Sequence, residues 1–288
     1  MAHPDEVSRR IAVAGARVPG FVYGTAWKEA ETERLTRLAL EAGFRGIDTA
    51  NQRRHYHEAG VGAALAGAIA AGLVRREELF VQTKFTSVAG QDHRLPYDPR
   101  ADAGTQVRQS FASSLEHLRI ETLDSYVLHG PARRSGLTAL DLEVWQAMEE
   151  LSAAGRTRFL GVSNVGLDQL EELCARATTP PAFVQNRCFA RSGWDREVRA
   201  FCRERGIVYQ GFSLLTANLA ELRHPAFQHV VARVGKTPAQ VVFRFALQVG
   251  MQPLTGTTDP RHMREDLESY EFALSPEDVR LVEGIAGA

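Results

Sequence analysis

Short apolar runs of β type alternate with longer amphipathic runs along almost the whole chain. The runs that predict strands are FVYGT (21–25), FRGID (44–48), LFVQTK (79–84), DSYVLH (124–129), TRFLGVS (157–163), AFVQN (182–186), IVYQG (207–211) and MQPLTG (251–256). Between them, the pattern predicts helices over 31–43, 57–72, 105–118, 141–155, 167–177, 195–206 and 237–250. Eight strands that alternate with helices favour a closed parallel barrel. The predicted fold is therefore α/β, a (β/α)8 TIM barrel.

Three segments stand outside this alternation. Residues 7–20 predict a β-hairpin ahead of the barrel, and long connections follow the third and seventh strands at 85–104 and 212–236. The chain ends in a short tail soon after the predicted helix SPEDVRLVEGIAGA. With no linker and no tandem repeat, residues 1–288 are expected to form a single domain.

Composition narrows the classes of partner. A net charge of -1 gives no support for binding nucleic acid or an anionic membrane. No apolar run approaches the roughly 20 residues that cross a bilayer. The chain has three widely spaced cysteines, Cys174, Cys188 and Cys202. An odd number at this spacing is typical of reduced thiols and matches no common zinc-binding motif. We therefore expect a cytoplasmic protein without a metal. Its oligomeric state, monomer or homo-oligomer, stays open.

Three predicted strands end on a titratable residue. Asp48 closes the second strand, Lys84 the third and His129 the fourth, and Tyr56 follows in the loop after Asp48. Taken singly, Asp48 would also suit a helix cap, Lys84 a surface charge and His129 a structural histidine at the end of the barrel. In a parallel barrel, however, the C-terminal ends of the strands meet at one mouth, where catalytic residues are found. Together they predict a pocket for proton transfer.

The sequence resembles the aldo-keto reductase superfamily over nearly its whole length. The segments that carry the resemblance are VPGFVYGTAW (18–27), GFRGIDTA (43–50), FVQTK (80–84), LDSYVLHGP (123–131), WQAMEELSAAGRTRFLGVSN (145–164) and KTPAQVVFRFALQVG (236–250). Their joint order and spacing are specific, although no single segment is. The resemblance implies a nicotinamide cofactor across the C-terminal mouth and hydride transfer to an aldehyde or ketone.

The catalytic tetrad of that family is Asp, Tyr, Lys and His. Asp48, Lys84 and His129 match it by motif, but the tyrosine is displaced. Arg53 stands at the usual spacing after the Asp, and the loop has two extra residues. We expect Tyr56 to be the proton donor, with His55 as its rival and His57 as a weaker candidate.

Hydride addition builds negative charge on the carbonyl oxygen, so an acid must supply a proton there. A neighbouring ammonium lowers the pKa of a tyrosine, whose ordinary value is about 10. In this interpretation Lys84 plays that part, Asp48 orients Lys84, and His129 orients the carbonyl.

The resemblance also assigns residues to the cofactor. Ser163, Asn164 and Gln185 match the groups that bind the carboxamide, and Phe212 takes the place of a tyrosine that stacks on the nicotinamide. The other residues expected at the cofactor are Thr25, Ser213, Leu215, Gly256, Thr257, His262, Glu265 and Asp266.

The residues expected at the 2′-phosphate bear on the choice between NADP(H) and NAD(H). Gly256 and His262 stand where the family places a Lys and an Arg at the 2′-phosphate. Two fixed positive charges are therefore missing, which weakens the case for NADPH. Arg261 and Arg264 are the available substitutes. NADP(H) remains the expected cofactor, with NAD(H) possible.

The substrate, a small carbonyl compound, is expected to contact Trp27, His55 and His93. The loop GQDHRLPYD also offers Asp92, Arg94 and Tyr97, either to recognise a polar or acidic substrate or to hold the loop together. Two other functions stay open. One is redox-neutral chemistry, as in a dehydratase, cyclase or epimerase. The other is a cofactor-sensing binding subunit.

Overall fold

The computed structural model of the chain describes residues 9–287. Its strands are β1 (Arg10–Val13), β2 (Ala16–Pro19), β3 (Val22–Gly24), β4 (Gly46–Asp48), β5 (Phe80–Phe85), β6 (Leu123–Leu128), β7 (Thr157–Ser163), β8 (Phe183–Arg187), β9 (Val208–Phe212) and β10 (Gln252–Thr255). Strands β3 to β10 follow one another around a closed barrel, in which β10 returns to β3. The predicted (β/α)8 fold is confirmed.

The N-terminal hairpin is confirmed as well. Strands β1 and β2 pair antiparallel, with Arg10 opposite Pro19 and Val13 opposite Ala16. Ala14 and Gly15 form the turn with positive φ values of 43° and 79°. Residues 7 and 8 of the predicted hairpin lie outside the described residues.

Helices follow the barrel strands as the alternation predicts. They are α1 (Thr32–Ala42), α2 (Glu58–Ala70), α3 (Ala103–Leu118), α4 (Ala139–Ala153), α5 (Leu167–Arg176), α6 (Arg196–Glu204), α7 (Pro225–Val234), α8 (Pro238–Gln248), α9 (Pro260–Leu267) and α10 (Pro276–Gly284). None of the described helices has the length and apolar character needed to span a membrane.

Two local predictions differ from the structure. The connection 212–236 contains helix α7, which His224 caps and which starts with Pro225 at its first position. The second predicted strand, 44–48, begins only at Gly46. Phe44 follows α1 and helps to cap it, because its N–H donates to the carbonyl of Ala39 after Gly43 turns the chain at φ 114°.

The described chain divides into two compact units. Residues Tyr23–Gln185 form one, and the described residues up to Val22 together with those from Asn186 onward form the other. Phe80 and Phe183 pack at 5.3 Å in the first unit, and Trp194 and Phe245 at 5.2 Å in the second. The assignment of residues 1–288 to a single domain stays a prediction.

The Ala- and Gly-rich composition of α2 has a packing reason. A Cβ on Gly62 would lie 2.0 Å from the carbonyl oxygen of His117 in α3, so only glycine allows this approach. The contact fixes α2 against α3. It also fixes Glu58, the first residue of α2, between the barrel strand β5 and α3.

Candidate active site

Asp48 and Lys84 form a buried ion pair at adjacent strand ends. Asp48 closes β4 and pairs in register with Gln82 of β5, so that Lys84 lies two residues further along β5. The Lys84 Nζ is 2.8 and 2.7 Å from the two carboxylate oxygens of Asp48, and 2.8 Å from the carbonyl of Thr49. Burial lowers the pKa of Lys84, and the charge of Asp48 opposes that shift.

Further groups fix Asp48, through its carboxylate and through its backbone carbonyl. The side-chain amides of Gln82 and Gln185 donate to its Oδ1 at 2.7 and 3.0 Å. The backbone N–H and the hydroxyl of Thr25 both donate to the Asp48 carbonyl at 3.0 Å. Gln82 was not predicted as a site residue. Its position two residues before Lys84, on the same face of a strand, was the available signal.

Tyr56 lies beside this pair despite its displacement along the sequence. A turn carries it there, in which the N–H groups of His55 and Tyr56 both donate to the carbonyl of Gln52 at 3.0 Å. The centroid of the Tyr56 ring is 5.2 Å from Lys84 Nζ and 5.9 Å from the His129 ring. Burial, followed by the charge of Asp48, raises the pKa of Tyr56. The expectation that Lys84 lowers this pKa is therefore wrong in this structure, because burial of the phenol outweighs the nearby ammonium.

Arg53, at the spacing usual for the tyrosine, has a different environment. Its Nη1 lies 3.3 Å from a carboxylate oxygen of Glu29 and 3.4 Å from the Tyr56 carbonyl. Arg53 thus braces the loop that carries Tyr56.

His129 follows β6 and presents a neutral ring. Burial, and then the charge of Lys84, lower its pKa to about 3. Its Nδ1 lies 2.6 Å from the hydroxyl of Thr86. If that hydroxyl donates, Nε2 carries the proton and is the donor. Thr86 was also not predicted, although it follows Lys84 by two residues.

His55 stacks on Trp27. The two ring centroids are 3.9 Å apart, and the backbone N–H of Trp27 donates to the backbone carbonyl of His55 at 2.7 Å. The His55 Nδ1 is 2.9 Å from the side-chain oxygen of Gln52. Trp27 has φ 64° and its surface is 70% exposed. These contacts give His55 a role in supporting Trp27.

The loop 91–99 combines internal ties with surface groups. Tyr97 is buried and its hydroxyl donates to the Thr86 carbonyl at 2.7 Å, so this residue holds the loop together. Asp92 and Arg94 pair with each other. His93, expected at the substrate, is an exposed residue of the loop.

The predicted carboxamide residues form a hydrogen-bonded group within Tyr23–Gln185. The Ser163 hydroxyl donates to the Gln185 carbonyl at 2.6 Å. The Asn164 side chain donates to the His129 carbonyl at 2.8 Å and to Ser163 Oγ at 3.1 Å. The Gln185 amide reaches Asp48, as described above, so the group is continuous with the catalytic pair.

The remaining predicted cofactor residues lie in the other unit. Phe212 is half-buried at the end of β9, with the Arg187 guanidinium 5.8 Å from its ring centroid. Ser213 follows with φ 56°, and Leu215 is half-buried. Beyond β10, Gly256 is exposed and Thr257 is half-buried.

Helix α9 carries the residues expected near the adenine end. His262 is exposed, and its Nε2 is 3.9 Å from the carboxylate of Asp259. Glu265 pairs with Arg261 at 3.6 Å. Asp266 is buried and accepts a hydrogen bond from Thr255 at 2.7 Å, and burial raises its pKa to about 7. Asp266 therefore ties α9 to β10.

Comparisons with known proteins identify the family. The model of the Aldo/keto reductase family matches residues 20–286, so the chain belongs to this family. The predicted family and enzyme class are thereby confirmed. An aldo-keto reductase of Mycolicibacterium vanbaalenii is 31% identical over 258 residues, covering 89% of this chain and 84% of its own.

Two further similarities agree with this result. Protein REDOX 2 of Catharanthus roseus is 30% identical over 291 residues, with 92% of this chain and 85% of that protein covered. The structure of a Bombyx mori aldo-keto reductase in complex with NADP matches with a TM-score of 0.81 at 25% identity, and covers 96% of this chain and 92% of that one.

Proposed function

We propose that this member of the aldo/keto reductase family reduces an aldehyde or ketone to an alcohol with NADPH, and that Tyr56 is the proton donor. One observation carries the proposal. Lys84 Nζ, held by both oxygens of Asp48, lies 5.2 Å from the Tyr56 ring, and the His129 ring is beside that same tyrosine. The similar Bombyx mori enzyme binds NADP, which supports the choice of cofactor.

The residues of each unit fit a nicotinamide dinucleotide. Ser163, Asn164 and Gln185 combine hydroxyl and amide groups in one hydrogen-bonded group, as recognition of a carboxamide requires. In the other unit, Phe212 offers a half-buried aromatic ring suited to stacking. When bound, the reduced nicotinamide supplies the hydride.

The protein side chains handle the proton and the developing charge. Tyr56 is protonated at neutral pH, as a tyrosine with the ordinary pKa of about 10 already is, and it delivers that proton to the carbonyl oxygen. His129, neutral and fixed by Thr86, donates a hydrogen bond to the same oxygen. Lys84 stabilises the tyrosinate that remains, and Asp48 keeps Lys84 in position.

Within this proposal NADPH is preferred and NADH is the alternative. Arg261 and Arg264 on α9 are exposed and are the cations available to a 2′-phosphate. Asp259 and Glu265 stand among them, so the preference is expected to be modest. We further propose a cytoplasmic location, based on the odd number and wide spacing of the cysteines.

The features of the sequence that favour redox-neutral chemistry are the displaced tyrosine and the missing positive charges at the 2′-phosphate. The position of Tyr56 beside Lys84 and His129 favours reduction over that alternative, and over a cofactor-sensing subunit, because a sensor has no use for a proton donor.

The test is to follow nicotinamide absorbance during incubation with a panel of activated aldehydes and either NADPH or NADH. Tyr56→Phe should lower kcat by about 10²–10⁴-fold, the range typical of general acids. His55→Ala is the matched control, because it changes the neighbouring residue of the same loop. A larger loss in His55→Ala than in Tyr56→Phe would contradict the assignment. Bound cofactor that no carbonyl oxidises would favour sensing.

A further inference from the structure

A cavity of about 360 Å³ lies beside Tyr56. Its walls are residues 50–53 of the loop that carries Tyr56, residues 56–59 at the start of α2, the segment Arg94–Pro96, and Ser113 and His117 of α3. All of these residues belong to the unit Tyr23–Gln185. Apart from Tyr56, none of the lining residues has a part in the proton transfer proposed above. Tyr56 is thus the point at which this cavity meets the proposed site of reduction.

Basic side chains are placed at the edge of this cavity. Arg53, Arg94 and His117 line it, with side chains 36%, 43% and 42% exposed. Arg53 contacts Glu29 and the Tyr56 carbonyl through Nη1, and Arg94 contacts Asp92 through Nε and Nη2. A guanidinium has five N–H donors, so these contacts do not exhaust either side chain.

The acidic group in the cavity lining is already compensated. The Glu58 side chain is 2% exposed, and its Oε1 accepts the hydroxyl proton of Thr83 at 2.5 Å. Its Oε2 lies 3.1 Å from Nδ1 of His117, and this hydrogen bond raises the pKa of the imidazole. Arg53 and Arg94 are paired as well, with Glu29 and Asp92, but neither of these acids is in the lining. The lining itself therefore has two guanidinium groups against one carboxylate.

We propose that this cavity binds a carboxylate group of the substrate, while the carbonyl to be reduced lies at Tyr56. A carboxylate matches the planar fork of a guanidinium and forms charge-assisted hydrogen bonds with it. This inference rests on the proposed function, because Tyr56 defines where the carbonyl lies. The sequence left two roles open for the polar residues of the loop GQDHRLPYD. For Arg94, the proposal favours recognition of an acidic substrate.

The chain contains a matched control for Arg94. Asp92–Arg94 and Asp98–Arg100 are the same motif in one loop, and each arginine donates its backbone N–H to the aspartate two residues earlier, at 2.8 and 3.0 Å. Arg94 lines the cavity, whereas Arg100 is not among the lining residues and its side chain is 88% exposed. Arg94→Ala and Arg100→Ala thus remove equivalent ion pairs, only one of them at the cavity.

The experiment compares aldehydes that differ only in charge. The probes are 3- and 4-carboxybenzaldehyde and the nitrobenzaldehydes of the same geometry, because a nitro group has the shape of a carboxylate without its charge. For at least one isomer, Arg94→Ala should lower the kcat/KM ratio of carboxylate to nitro compound about tenfold or more, in keeping with hydrogen bonds to charged groups. Arg100→Ala should leave the ratio unchanged, and Arg94→Lys should retain part of it.

A binding measurement separates this inference from the proposed function. Calorimetry with the product alcohols, hydroxymethylbenzoate and nitrobenzyl alcohol, needs no reduction. Carboxylate-selective binding that Arg94→Ala weakens would support the site even if no aldehyde were reduced, which would overturn the proposed function alone. Reduction and binding without any carboxylate preference, or equal losses in the Arg94 and Arg100 variants, would overturn the carboxylate site and leave the reductase in place.

Discussion

The hydroxyl of Thr86 is placed to decide which nitrogen of His129 carries the proton. The ring is neutral because burial and Lys84 lower its pKa to about 3, and a neutral imidazole has one donor and one acceptor nitrogen. With Nδ1 2.6 Å from the Thr86 hydroxyl, a donating hydroxyl directs the ring proton to Nε2. Thr86 is therefore a positioning residue, since it acts through His129.

We expect Thr86→Val to lower kcat about tenfold, which corresponds to about 1.4 kcal/mol, with a smaller change in KM. The valine keeps the shape of threonine but cannot donate to Nδ1. Nitrogen NMR of the His129 ring, assigned with His129→Gln, should show a shift in the balance of tautomers. Thr86→Ser, which retains a hydroxyl, should behave like the parent. Unchanged kinetics and ring shifts in Thr86→Val would contradict this role.

At the scale of elements, the strands of the site were predictable and the loops were not. Asp48, Lys84 and His129 follow from their places at strand ends, because parallel strands bring those ends to one mouth. Alternation along β5 also points to Gln82, two residues before Lys84, and Thr86 follows Lys84 at the same spacing, directly after the strand ends.

The position of Tyr56 depends on contacts that have no local sequence signal. The turn uses the backbone carbonyl of Gln52, and the Gln52 amide in turn donates to the carbonyl of Gly90 at 2.6 Å. The sequence does not predict such contacts, because every residue has a backbone carbonyl and Gly90 is far from Gln52 along the chain. Helix α7 is different. His224–Pro225 is a recognisable helix start, which the length of the surrounding connection obscured.

Helix α9 gives a prediction about the cofactor. Asp259 caps its N-terminus by accepting the N–H of Arg261 at 2.7 Å, and so places a negative charge near the expected site of the 2′-phosphate. Asn is an equally good capping residue without the charge. Asp259→Asn should therefore tighten NADPH binding roughly two- to fivefold and leave NADH binding unchanged.

Fluorescence titration with each cofactor measures these affinities. Asp102→Asn is the matched control, because Asp102 caps α3 in the same way by accepting the N–H of Thr105 at 2.7 Å. An equal change for NADPH and NADH would place the 2′-phosphate away from Asp259.

At the scale of the whole molecule, the buried ion pair is a cost that the fold carries for its function. Lys84 is fully buried and Asp48 almost so, and taking both charges out of water opposes folding. A well-packed neutral pair of similar size is often as stable as such an ion pair, whereas removing one partner leaves a buried charge uncompensated. This asymmetry separates a role in catalysis from a role in stability.

Asp48→Asn should lower the free energy of unfolding by about 3–5 kcal/mol, because Lys84 loses its counter-ion while the Gln82 and Gln185 amides keep an oxygen acceptor. Adding Lys84→Met should restore most of that loss, and neither variant should reduce aldehydes at a rate near that of the parent. Urea unfolding of the parent, Asp48→Asn, Lys84→Met and the double variant measures the coupling between the two sites. If the loss of unfolding free energy in the double variant equalled the sum of the losses in the two single variants, the interaction between Asp48 and Lys84 would contribute nothing to stability. Recovery of stability without recovery of activity would show that the barrel tolerates the charges at Asp48 and Lys84 because the reaction requires them.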